Sequence, residues 1–140
     1  MREIWHISVH FSKSDHKHHD NVEALRSWHV GEKGWSDIGY HYIITKNGDI
    51  HTGRPIDRVP AAVLNHNRGN IAICLTGRDY FSPSQFRSLR QLVENLMFTW
   101  YILKENVKGH NEYSRHETRG CPNFDVKQVL WGVKGVQQNY

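Results

Sequence analysis

The sequence predicts one α/β domain spanning residues 1–140, with a central mixed β-sheet flanked by about three helices. Three observations lead there. Segments rich in Ile, Val, Trp and Tyr alternate along the chain with segments at helical spacing. Asn47-Gly48 sits between two strand-like segments, which is the strongest two-residue hairpin signal and places an antiparallel pair in the sheet. Ser82-Pro83-Ser84-Gln85 opens a long amphipathic run with a helix N-cap, a proline at the first helical position and a capping box.

Taken in order, Glu3 to Phe11 has strand composition. Strand alternation puts Ile4, His6, Ser8 and His10 on one face and Trp5, Ile7, Val9 and Phe11 on the other. Ser12 to Asn21 is a loop, and Asp20 or Asn21 caps a helix carrying Val22, Leu25 and Trp28. That helix should stop near Gly31 or Gly34. Gly39 to Lys46 is a strand, and Asp49 to Gly53 returns from the hairpin. Arg54 to Arg68 is irregular, broken by Pro55 and Pro60. Asn70 to Thr76 reads as a buried central strand. The long helix runs from Ser82 to about Lys104, with Phe86, Leu89, Leu92, Val93, Leu96, Met97 and Trp100 as its apolar face. Val107 to His110 is a short strand, and a last helix covers Asp125 to Trp131.

Composition narrows the function classes. Hydrophobic residues at 38% and charged residues at 23% fit a soluble globular domain. The net charge is 18 − 14 = +4, which favours an anionic partner such as nucleic acid, a membrane surface or a bacterial wall. No block of five or more basic residues occurs, so a nucleic-acid tail is not expected. Two cysteines, Cys74 and Cys121, exclude a disulfide framework. The cluster His16, His18 and His19 lies in a polar stretch and reads as a solvated loop. No apolar run of signal-peptide or membrane-spanning length is present, so synthesis in a cytoplasm and no membrane insertion are expected.

The stretch from Gly109 to Pro122 carries the chemistry. His110 and Cys121 are both good zinc ligands, and His10, at the end of the first strand, is the best candidate for a third. A catalytic zinc keeps three protein ligands and an open position for water. From spacing alone, His10 as an ordinary histidine and Cys121 as a small buried residue stay open.

Several segments, in order, carry a resemblance. They are Val9 to Ser14 (VHFSKS), Trp28 to Tyr42 (WH…GWSDIGYHY), the Lys46 to Asp49 hairpin with Gly53 to Pro55, and His66 to Gly77 (HNRGNIAICLTG). Phe81 to Gln85, Gly109 to Glu112 and Cys121 to Asp125 complete the set. Together they resemble the zinc-dependent N-acetylmuramoyl-L-alanine amidases of the type-2 family, most closely the small bacteriophage lytic amidases. The peptidoglycan recognition proteins share that fold. The resemblance runs from about Ile4 to Trp131. It implies one Zn2+ per chain on His10, His110 and Cys121, with Tyr40 beside the metal as a catalytic residue. It also implies a catalytic basic residue two places before the last ligand, which here is Arg119 rather than the usual Lys. A fixed cation there would stabilise an oxyanion, although arginine cannot shuttle a proton. The histidine-asparagine motif makes His66 and Asn67 the candidates for substrate contact.

Three departures accompany the resemblance. The extra Arg115-His116-Glu117 lengthens the segment between His110 and Cys121, and would let His116 approach the metal. Ala62 falls where many members have a histidine, a gap that His66 would fill. Cys74 falls where some relatives carry a glutamate base. On strand alternation Cys74 shares a face with Ala72, so it either faces the site or is a small buried residue.

The implied function is hydrolysis of the bond between N-acetylmuramic acid and L-alanine in peptidoglycan, by a monomeric phage endolysin made in the host cytoplasm and acting on the wall after release. A cytoplasmic recycling enzyme fits the same features. The alternatives are a non-catalytic peptidoglycan-binding module, since folds outlive their chemistry, and a basic nucleic-acid binder, which no aromatic platform supports. Some phage amidases of this type also bind a polymerase, and no residue here indicates it.

Overall fold

The computed structural model describes residues 1–113 and 121–132. Its centre is a five-stranded mixed sheet in the order β3-β2-β4-β1-β5. The strands are β1 His6–Phe11, β2 Tyr42–Ile44, β3 Ile50–Thr52, β4 Asn70–Leu75 and β5 Val107–Gly109. β4 and β5 both run parallel to β1, β2 runs parallel to β4, and only the β2–β3 hairpin is antiparallel. The helices are α1 Val22–Arg26, α2 Pro83–Trp100 and α3 Val126–Trp131.

Both faces of the sheet are covered, which is why every residue of β1 and β4 is buried. On one face Ile7, Val9, Ile71, Ile73 and Leu75 pack against Leu89, Val93 and Leu96 of α2 and against Val126 and Leu130 of α3. The other face holds a smaller cluster of Leu25, Ile38, Ile43 and Cys74, with Tyr40 against it. β1 therefore divides as its alternation predicts: Ile7 and Val9 go to the main core, while Ser8 and His10 face the opposite side. Before the strand the expected alternation breaks: Ile4 joins the main core, and Trp5 is half-exposed against Gly69, where φ is +73° and a Cβ would clash with the indole nitrogen.

The first helical segment ends at Glu32, between Gly31 and Gly34 as expected, but only its first turn is α; the rest, Ser27–Glu32, is π-helical, and Lys33 N–H reaches back to Trp28 O. The long helix ends at Trp100, not Lys104, because Tyr101 takes a left-handed conformation with φ 56°. That turn lets Ile102, which is 4% exposed, bond back to Met97 O and enter the core. Asn21 and Asp125 cap α1 and α3 with their side chains, as their positions suggest. Among the described residues, no helix is long and apolar enough to cross a membrane.

Candidate metal centre

The sheet register builds the site. Val9 pairs with Gly109, so the next residues, His10 and His110, leave neighbouring parallel strands side by side at their carboxyl ends. Their rings lie 4.9 Å apart. Asn111 N–H donates to Cys121 O at 2.8 Å, and that backbone bond brings the thiol back to the histidine that precedes Asn111 by one residue. The ligand atoms of His10, His110 and Cys121 all fall within 4.8 Å of one another. His10 Nδ1 is 3.9 Å from Cys121 Sγ.

This set fits a zinc ion. Bonds of about 2.1 and 2.3 Å to one tetrahedral centre would set a nitrogen and a sulfur about 3.6 Å apart. Burial, and then the neighbouring His110, hold the His10 imidazole well below its usual pKa, so it stays neutral and able to ligate. Burial raises the Cys121 thiol, against a smaller lowering from the Phe11 backbone hydrogen bond and Lys13, so loading a metal there releases a proton.

A cavity of about 130 Å³ opens in front of the three ligands. Tyr40, His29, Trp28, Trp35, Ala61 and Ala62 are among its walls, and Lys13 and Lys33 also line it. Tyr40 sits with its ring 5.2 Å from His10 and 5.5 Å from His29. Its phenol is hydrogen-bonded to Cys74, and burial followed by the two nearby thiols drives its pKa well above 10. Cys74 pairs with His10 in register and is fully buried. It lies on the site side of the sheet, behind Tyr40 rather than in the cavity wall. No carboxylate lines the cavity among the described residues.

His66 and Asn67 do not line this cavity. Asn67 Oδ1 accepts from Ala62 and Val63 N–H at 2.9 and 2.8 Å, so it pins the loop that presents Ala62. The His66 ring lies 5.3 Å from Tyr113, whose hydroxyl bonds His6. Ala62, by contrast, is in the wall, where the resemblance placed a missing histidine. Arg119 and His116 lie outside the described residues.

Three residues around the site went unmarked in the sequence. Lys33 lies over the Trp28 and Trp35 rings at 4.8 and 5.3 Å, which fixes a cation at the rim. Lys13 is held at φ 68°, with its N–H on Gly77 O at 3.0 Å. Its place three residues after His10 was the available signal. His29 is 2% exposed and accepts Gly39 N–H on Nδ1 at 2.9 Å, which anchors the residue before Tyr40.

Residues 1–124 match the family described as N-acetylmuramoyl-L-alanine amidase. The endolysin of Escherichia phage T7 is 32% identical over 130 residues, covering 87% of this chain and 82% of that protein. The endolysin of Klebsiella phage KP32 is 31% identical over 137 residues, covering 91% and 85%. Among solved structures, the amidase LysC from Clostridium intestinale URNW superposes with a TM-score of 0.78 at 28% identity, over 91% of this chain and 83% of that one. Drosophila PGRP-LB shares the fold, with a TM-score of 0.75 at 22% identity over 99% of this chain and 88% of that one. The cluster of His10, His110 and Cys121, the cavity beside it and the family match agree, and the chain belongs to the N-acetylmuramoyl-L-alanine amidase family.

Proposed function

We propose that this phage-type amidase holds one zinc ion on His10, His110 and Cys121 and hydrolyses the amide between N-acetylmuramic acid and L-alanine in peptidoglycan. The observation that carries the reading is the convergence of two imidazoles and one thiol at the head of a cavity, in a chain of this family. When bound, zinc supplies Lewis acidity toward the amide carbonyl and lowers the pKa of a water to about 7.

The chain's own residues do the rest. Tyr40, with its hydroxyl protonated at neutral pH, turns its one proton from Cys74 to the charge that develops on the carbonyl oxygen. Arg119 adds a cation to the same oxygen. Trp28 and Trp35 give the substrate a wall, and the positive rim suits an anionic wall polymer. Asn67 acts through the loop it pins rather than by touching the scissile bond. The protein is expected to work as a single monomeric domain, made in the host cytoplasm and reaching the wall at lysis.

The test pairs metal analysis with peptidoglycan digestion for the wild type and Cys121→Ala. About one zinc per chain and new alanine amino termini are expected from the wild type, and both are lost in the variant. Wild-type protein that holds no zinc, or that binds the wall and releases no amines, would refute the reading.

A further inference from the structure

We propose that Ser8 and Asn70 form a positioning pair that decides which nitrogen of His10 is available to the metal, an inference that rests on the zinc reading above. Three contacts set the order of the protons. His10 Nδ1 faces Cys121 Sγ, on the side where the ligand atoms converge. His10 Nε2 faces the other way, 2.7 Å from Ser8 Oγ. The Ser8 hydroxyl donates to Asn70 Oδ1 at 3.0 Å.

A hydroxyl has one proton to give. With that proton committed to Asn70, Ser8 accepts from His10, so the neutral imidazole carries its hydrogen on Nε2 and leaves Nδ1 bare. Only a bare nitrogen ligates a metal, and the bond made by the other ring nitrogen selects it. A hydroxyl alone would be indifferent, because it can donate to Nε2 as easily as accept from it. Asn70 removes that ambiguity. It does so without adding a carboxylate beside the Cys121 thiolate that metal binding creates.

The placement follows from the sheet. Ser8 is two residues before His10 and therefore shares its face of β1, and Asn70 opens the adjacent strand β4. Ser8 and Asn70 are 0% exposed and His10 is 1% exposed, so bulk water does not compete for these bonds. Asn70 Nδ2 is buried with no hydrogen-bond partner among the described residues. Removing that amide takes away an unsatisfied buried nitrogen together with the Ser8 bond, so the two effects on stability offset.

The experiment uses Ser8→Ala and Asn70→Ala beside the wild type. Nitrogen-15 NMR of the zinc-free proteins reads the His10 tautomer, chelator competition reads zinc affinity, and thermal melting reads the fold. The wild type is expected to show protonated Nε2 and bare Nδ1. Both variants are expected to gain the Nδ1-protonated form and to bind zinc 10- to 100-fold more weakly. Asn70→Ala should do so with no loss of melting temperature, which separates positioning from folding. Protonated Nδ1 in the wild type, or wild-type zinc affinity in both variants, would overturn the proposal. If the wild type shows the expected tautomer yet binds no zinc, the metal assignment fails and the proton order survives.

Discussion

Tyr40 shows how one side chain is prepared by its neighbours. Cys74, on the strand beside His10, bonds its hydroxyl, and His29 holds the backbone of Gly39 just before it. The phenol is thus fixed near the ligands without being one of them. Tyr40→Phe removes the hydrogen-bond donor and keeps the ring. It is expected to retain zinc and the fold while kcat falls about 100-fold, the usual cost of one lost oxyanion donor. Zinc content and steady-state kinetics check this together, and a variant that loses its zinc would assign Tyr40 to metal positioning instead. That His10, His110 and Cys121 would converge was anticipated through the resemblance, because spacing alone left His10 and Cys121 open as ordinary residues. Ser8 and His29 were not, because their roles depend on which neighbour each side chain faces.

The helix α2 makes the same point one level up. Its start was legible: Ser82 Oγ accepts Gln85 N–H at 3.0 Å, and Gln85 Oε1 accepts Ser82 N–H at 2.9 Å. What the capping box does not reveal is the other end of the Gln85 amide. Its Nε2 donates to Thr76 O at 2.8 Å and Ile44 O at 3.1 Å, so it joins the helix to the ends of β4 and β2. Gln85 is 0% exposed, so its removal strands the Thr76 carbonyl away from water, while Ile44 O keeps the Thr76 N–H at 3.0 Å. Gln85→Ala should therefore lower unfolding free energy by about 2–4 kcal/mol, more than the roughly 1 kcal/mol of a lost cap alone. Urea denaturation of the zinc-free protein measures it, and a loss of only about 1 kcal/mol would limit Gln85 to capping. The far end of α2 was not legible, because nothing in Tyr101 marks a left-handed turn. Only the burial of Ile102 explains why the chain reverses there.

For the molecule as a whole, acid is the informative perturbation, since several histidines are buried as hydrogen-bond acceptors. His29 Nδ1 accepts Gly39 N–H at 2.9 Å, and His41 Nδ1 accepts Ala72 N–H at 3.0 Å, while His41 Nε2 bonds Arg58 O at 2.8 Å. Protonating either Nδ1 replaces an attraction to a backbone N–H with a repulsion. Burial, followed by nearby cations for His29 and by Arg2 and Arg54 for His41, brings both pKa values down to about 4 from 6.5. Between those two values the unfolded chain binds more protons than the folded one, so stability rises with pH across the window. It is complete above about 6.5 and lost progressively as pH falls toward 4. At pH 5 each imidazole should cost on the order of 1–2 kcal/mol relative to pH 7. The bonds at risk run from the loop before Tyr40 to the central strand, so fold and site should weaken together. Urea midpoints of zinc-free protein at pH 7 and pH 5 test this, because without metal the protonation of the ligands does not contribute through lost binding. His41→Gln keeps an acceptor and a donor but cannot charge, so it should flatten the pH dependence in part, with His29 and the buried His10 and His6 supplying the rest. An equal midpoint at both pH values in the wild type would mean that these two rings titrate alike in the folded and unfolded chain.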